Sequence, residues 1–201
     1  MSKVAAILLA AGRGTRFGPE AKLLTSIGGK PLVRHAAEAA AGSSAEPVIA
    51  VTGHRAEDIE AALEGLPVQI VRNPLFAEGL STSLRAGFAA LPAEAGGAVI
   101  LLGDMPLIKS DFIDALIASW CEMGEPAALV PTLSGQRGNP VVISRKLGTV
   151  IEGLSGDVGA GPVLRGRPDV LEWPTTNPAV LQDIDTKEEF IRLRSSDGEI
   201  L

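Results

Sequence analysis

Tyrosine is absent from this 201-residue chain, and two Trp and five Phe are its only large aromatic side chains, so a core has to be built from Ala, Val, Leu and Ile. There is one cysteine, Cys121, which cannot close an internal disulfide. It falls in an apolar helical pattern with no second Cys or His beside it, which reads as a core residue rather than a reactive thiol. Nothing therefore requires an oxidising compartment. A basic excess is lacking too: 18 Lys and Arg stand against 24 Asp and Glu, a formal net charge of −6. Phosphate-backbone binding needs clustered cations on one face, so no nucleic acid is expected as partner. The longest apolar run, near residues 4 to 11, is well short of the ~20 residues that span a bilayer, and it leads into a charged glycine loop rather than a cleavage site. A cytoplasmic protein without a membrane partner is the expectation.

What the chain does have is globular composition, 46% apolar and 21% charged, at a length suited to one domain. Val4 to Ala10, Pro47 to Thr52, Val68 to Val71, Ala98 to Leu102 and Ala127 to Val130 read as strands. Between them Leu32 to Ala41, Ala56 to Leu63, Thr82 to Leu91 and Asp111 to Met123 carry helical periodicity, with Trp120 on an apolar face. Pro140 to Ser144, Val170 to Trp173 and Val180 to Ile184 are less regular strand candidates, and a last helix begins near Thr186. Runs apolar on both faces, such as Val99 to Leu102, suit a parallel sheet covered on both sides. The expected fold class is α/β, a three-layer α/β/α sandwich with a mostly parallel, Rossmann-like sheet.

Gly12, Gly14 and Gly18 directly follow the first strand, with Arg13, Arg16 and Lys22 interleaved. Such a loop lets backbone approach a ligand while cations converge on it, and phosphate is the natural guest. The spacing G-x-G-x-x-x-G differs from the dinucleotide fingerprint, and no Gly-Lys-Ser/Thr closes the loop as in a P-loop. Asp104 ends the most apolar strand, and ligands of open parallel sheets bind at the carboxyl ends of strands. Asp185 ends the strand expected at Val180 to Ile184, and Thr186 with Glu189 forms a capping box that leaves Asp185 without an obvious structural job. Two carboxylates with substrate phosphates are the usual Mg2+ arrangement. Asn73 to Gly87 reads as a loop with a Ser/Thr cap entering a helix; Gln136 to Pro140 and Gly156 to Gly161 read as turns.

Leu9 to Gly18, with Lys22-Leu23-Leu24 and Gly29-Lys30-Pro31-Leu32, resembles the nucleotidyltransferase signature of the molybdenum cofactor cytidylyltransferases and their MobA-like relatives. The resemblance runs from Leu8 to the helix after Asp185 and implies a fold of the nucleotide-diphospho-sugar transferase type. It also implies roles. Leu9, Ala10, Ala11, Gly12 and Gly14 wrap the nucleotide, Arg16 and Lys22 neutralise its triphosphate, and Asp104 and Asp185 hold the metal. Arg16, Lys22 and Asp104 are then catalytic. Asn73, Gly79 and Ser83 contact base or ribose, and Arg137, Asn139 and Asp157 lie on the acceptor side, where relatives often carry His in place of Asn139 and Arg in place of Gly161. Residues 1–106 are expected to serve mainly the nucleotide and 107–201 mainly the acceptor and metal, within one domain of 201 residues.

The implied reaction is transfer of CMP from CTP to the phosphate of molybdopterin cofactor, with Mg2+ and release of pyrophosphate, serving a molybdoenzyme or its maturation factor. Ala11 tilts toward cytidine, because guanylyl-transferring relatives have Gly there. GTP-dependent transfer, a sugar or polyol phosphate acceptor, and a non-catalytic cofactor carrier remain as alternatives. A dinucleotide-dependent oxidoreductase is disfavoured by the glycine spacing and by Thr52, which stands where an acidic ribose ligand is expected.

Overall fold

The computed structural model describes residues 2–14, 17 and 21–197. In chain order the elements are β1 (Lys3–Ala10), β2 (Ser26–Ile27), β3 (Lys30–Pro31), α1 (Leu32–Ala41), β4 (Val48–Thr52), α2 (Ala56–Ala62), β5 (Val68–Arg72), α3 (Leu80–Ala89), β6 (Ala95–Leu102) and α4 (Ser110–Glu122). There follow β7 (Ala128–Leu133), β8 (Gln136–Arg137), β9 (Val141–Ser144), α5 (Gly148–Glu152), α6 (Gly161–Leu164), β10 (Val170–Pro174) and α7 (Lys187–Asp197).

The main sheet runs β10-β7-β9-β6-β1-β4-β5, with β8 added to β7. The pairs β1/β4, β1/β6, β4/β5 and β7/β10 are parallel, whereas β9 is antiparallel to both β6 and β7. Period-two alternation sorts β1 between two cores. Val4, Ala6, Leu8 and Ala10 pack with α1, Ile59 of α2 and the Phe112–Trp120 face of α4, while Ala5, Ile7 and Leu9 pack with α3 and with Ile151 and Leu164 of α5 and α6. Every β1 residue after Lys3 is buried, and each Leu or Ile so placed stabilises by about 1.5–3 kcal/mol. The layers are thus helices, sheet, helices, as the doubly apolar strands predict. Trp120 is fully buried and its indole N–H donates to Pro126 O at 2.9 Å. Cys121 packs partly buried against the same core, and burial pushes its thiol pKa up.

One expected strand does not form. Pro178–Leu181 is a 3-10 turn, because Pro178 has no N–H for a ladder and the Asn177 side chain accepts from Ala179 N at 3.0 Å. Asp185 therefore does not end a strand. Its neighbour Ile184 turns instead into a small cluster with Phe17, Ile27, Leu32 and Phe190, which fixes α7 against the glycine loop.

The expected capping box is present. Thr186 N donates to Glu189 Oε2 at 2.9 Å and Glu189 N to Thr186 Oγ1 at 3.2 Å, and Asp185 N also donates to Glu189 Oε2, at 2.8 Å. The Asp185 and Thr186 N–H groups hold the Glu189 carboxyl below its ordinary range. A depressed pKa contributes stability that is complete above the unfolded value and disappears as pH falls through the folded one. Glu189→Gln is accordingly expected to melt lower than wild type at neutral pH, by about 1–4 °C for a cap of this kind in a chain of this size. The difference should vanish in melting curves taken near pH 3; a gap that persists there would remove the ionised carboxylate from the effect.

Candidate active site

Parallel pairing of β1 with β6, in register Leu9↔Leu102, places the two loops that leave these strands side by side. Gly103 N donates to Leu9 O at 3.1 Å, so the Gly103-Asp104 turn is tied directly to the glycine loop. Ile184 N donates to Asp104 O at 3.1 Å and brings the Asp183–Asp185 segment to the same edge. Three chain segments far apart in sequence are thus joined by backbone bonds before any side chain acts.

Lys22 opens a 3-10 turn, Lys22–Leu24, and is buried. Its Nζ donates to Asp104 Oδ2 and Asp185 Oδ1, both at 2.6 Å. Burial works against the ammonium charge, but Asp104 and then Asp185 outweigh it and hold the Lys22 pKa above its ordinary value. Gly14 makes this seat available. Its φ is +58°, and a Cβ there would stand 2.9 Å from Lys22 Cβ, so loop and lysine stem touch only because the residue is glycine.

Asp183 is a third carboxylate, which the sequence reading does not single out. Oxygens of Asp104, Asp183 and Asp185 lie within 4.8 Å of one another. Desolvation, followed in part by the charges of Asp185 and Asp104, raises the Asp183 pKa. Asp104 Oδ1 is buried and has no hydrogen-bond partner among the described residues. Three carboxylates, one with an oxygen left over, form a hard-oxygen set of the kind that divalent cations take. The signal available in the sequence was the D-x-D spacing, which in extended chain sends both side chains to the same side.

These groups line a cavity of about 480 Å3. Leu9, Ala11, Gly12, Gly14, Lys22 and Asp104 form one part of its wall; Gly79, Ser83, Asp157 and Asp185 are also on it. Arg13 lines the cavity as well, its guanidinium 5.6 Å from the centroid of the Phe76 ring, a stack that sequence reading did not anticipate. Arg16 lies outside the described residues. Ala10 is wholly buried in the core, beneath the wall.

Asn73 is also buried and off the wall. Its side-chain amide donates to Thr82 Oγ1 at 2.8 Å and Ser83 Oγ at 3.0 Å and accepts from Leu75 N at 3.0 Å, so it braces the turn that presents Ser83. Helix α3 begins at Leu80, without the Ser/Thr cap expected from the sequence, because Gly79 is its N-cap and Thr82 Oγ1 donates back to Gly79 O. The first N–H groups are satisfied from across the chain: Leu80 N donates to Asp157 Oδ1 at 3.2 Å and Ser81 N to Gly156 O at 3.3 Å. Asp157 is therefore a long-range cap as well as a wall residue.

A second cavity, of about 310 Å3, shares Leu9, Leu80 and Leu102 with the first. Arg137 and Asn139 lie here, as does Arg165. Arg137 is engaged: its Nε donates to Glu172 Oε1 at 2.9 Å and its Nη1 to Leu164 O at 3.3 Å. Each cavity draws on both halves of the chain.

Comparison with known proteins finds relatives by sequence and by structure. A protein from Anaeromyxobacter sp. (strain Fw109-5), Bifunctional protein GlmU, is 39% identical over 120 residues, 58% of this chain and 25% of that one. The chain thus spans about a quarter of the length of such relatives. Nicotine blue oxidoreductase of Paenarthrobacter nicotinovorans is 30% identical over 196 residues, 94% of this chain and 96% of that one. The manganese complex of Rv0371C from Mycobacterium tuberculosis H37Rv superposes with a TM-score of 0.80 at 25% identity, covering 97% of this chain and 100% of that one. Residues 6–171 match the MobA-like NTP transferase domain. That match spans most of the chain, and the chain belongs to the family of MobA-like NTP transferase domains.

Proposed function

We propose that this protein is a cytoplasmic enzyme that transfers CMP from CTP to the phosphate of molybdopterin cofactor, releasing pyrophosphate. The observation that carries the reading is the single cavity in which Gly12, Gly14, Lys22, Asp104 and Asp185 meet. An acceptor phosphate oxygen attacks the α-phosphorus; the bond to the β-phosphate oxygen breaks, and pyrophosphate leaves with the electron pair. The attacking oxygen is already anionic, so positioning and charge neutralisation suffice and no activated Ser or Cys is needed.

In this reading the N–H groups of the Gly12–Gly14 loop and the Lys22 ammonium bind the triphosphate, and Arg16 adds a second cation. Asp104 and Asp185, with Asp183 beside them, would hold Mg2+, which when bound neutralises charge on the phosphate oxygens. Ser83 and Gly79 face the nucleoside, Asn73 supporting them. Arg137 and Asn139, on the second cavity's wall, belong to the acceptor side; Asp157, expected with them, lies on the first cavity's wall, and each cavity takes residues from both sides of residue 106. Ala11 on the wall favours cytidine over guanosine. A downstream molybdoenzyme, or the factor that matures it, would receive the product.

The test is pyrophosphate release from each of the four triphosphates with Mg2+ and the cofactor. CTP is expected to exceed GTP in kcat/KM by about tenfold or more, since a site built for one base edge leaves polar groups unpaired with the other. Equal or better turnover with GTP would sink the cytidylyl reading, and turnover only with sugar or polyol phosphates would replace the acceptor. Cofactor binding without turnover would indicate a carrier. Because one full-length relative carries the name of an oxidoreductase, the same preparation is assayed for NAD(P)H oxidation. Thr52 Oγ1 donates to Glu60 Oε1 at 3.1 Å, so the position where a ribose carboxylate would be expected is committed elsewhere.

A further inference from the structure

The second cavity differs in character from the first. Leu84, Ile100, Val130, Val141 and Leu164 make much of its wall. The polar side chains on that wall are Arg137, Asn139 and Arg165. The Arg137 guanidinium already pairs with Glu172 and Leu164. By contrast, the side chains of Asn139 and Arg165 have no hydrogen-bond or ion-pair partner among the described residues. An apolar hollow with two unengaged polar groups is the usual form of a small-molecule site.

Arg165 directly follows α6, four residues after Gly161, and both line the cavity. Gly161 opens that short helix and Arg165, in extended backbone and exposed, ends it. A Cβ at Gly161 would meet nothing within 4 Å, so this part of the wall is open. The walls also discriminate. A polyol pressed against Leu84, Val130 and Val141 would bury hydroxyls without partners, which disfavours it. A ring body suffers no such loss, and a guanidinium fork favours a planar anion at the end of it.

We infer that Arg165 is the specificity-determining residue for the acceptor, pairing with an anionic group on an apolar, ring-bearing body that fills the second cavity. The inference rests on the nucleotidyl-transfer reading for the word acceptor, but the binding it describes is independent of turnover. Isothermal titration of the full chain with 4-carboxyphenyl phosphate, phenyl phosphate and glycerol 3-phosphate tests it. Wild type is expected to bind the carboxylated ring about tenfold more tightly than phenyl phosphate, the gain from one charge-assisted pair, and glycerol 3-phosphate most weakly. In Arg165→Gln that preference falls to within about twofold, and Arg165→Lys restores part of it, since Lys keeps the charge without the fork. Matching melting temperatures for the three proteins confirm that folding is intact.

A preference unchanged in Arg165→Gln overturns the inference, as does glycerol 3-phosphate binding as tightly as the carboxylated ring, or failure of both ring phosphates to bind. Arg165-dependent binding in a protein that releases no pyrophosphate with any acceptor would sink nucleotidyl transfer and leave this site standing. Normal pyrophosphate release together with an Arg165→Gln variant of unaltered preference would do the reverse.

Discussion

Asp104→Asn is expected to lower kcat for pyrophosphate release about 10³-fold, the scale on which removal of a group that stabilises transition-state charge is felt. Asn keeps the shape of Asp104 and can still take part in the turn after β6, whose links to Leu9 and Ile184 are made by backbone atoms. What it removes is charge: Lys22 loses one of its two carboxylates, and one of the two Asp104 oxygens becomes an NH2 that donates and cannot hold a cation. Lys22 retains Asp185, so the variant should fold, and its melting temperature is the control. A kcat within tenfold of wild type in a normally melting protein would take Asp104 out of the mechanism.

The second large effect is structural. Gly79→Ala places a methyl group on the carbonyl of Gly156 and 2.5 Å from the backbone N of Asp157, at a φ of +115° that other residues rarely adopt. Neither obstacle is a flexible side-chain end, so α3 and the 156–157 turn have to separate. That separation breaks the Leu80–Asp157 and Ser81–Gly156 bonds that satisfy the start of the helix. Backbone strain and lost capping together are expected to cost about 2–4 kcal/mol, lowering the melting temperature by about 5 °C or more in a chain of this length. Because Leu80 belongs to both cavity walls, the KM values of both substrates should rise. Wild-type melting with unchanged KM values would show that the turn yields easily and does not hold the site together.

Much of the framework was readable because it rests on local pattern. The run from Val4 to Ala10 is apolar at every position, and only a strand covered on both faces has use for that; β1 is such a strand. The helical stripe through Phe112, Leu116 and Trp120 likewise packs as its spacing predicts. The Thr186–Glu189 box, a contact three residues long, is present bond for bond. What escaped depends on contacts distant in sequence. Nothing local in Val180 to Ile184 says that Ile184 joins Phe17 and Phe190 rather than a sheet, and alternation of apolar residues there imitates a strand. Helix α3 is capped by a residue 77 positions from Leu80, so its first turn lies outside what a Ser/Thr cap rule can find. Helices α5 and α6 are short and begin with glycine, leaving no periodic stripe to detect. Arg165 is one more basic residue in a Gly- and Arg-bearing stretch until α6 sets it beside Leu164 on a cavity wall.

The reversed strand β9 has an effect that outlasts any one residue. In a uniformly parallel sheet, the loop entering a strand and the loop leaving it lie at opposite poles, and only the latter meets ligands. Because β9 runs against β6 and β7, the segment that enters it, Gly138-Asn139-Pro140, arrives at the pole where β1 and β6 end. The sheet thereby recruits an incoming loop alongside its outgoing ones. Since Gly138 and Asn139 are on the second cavity's wall and not on the first's, drift in this segment over generations can reshape one cavity while the other is inherited unaltered.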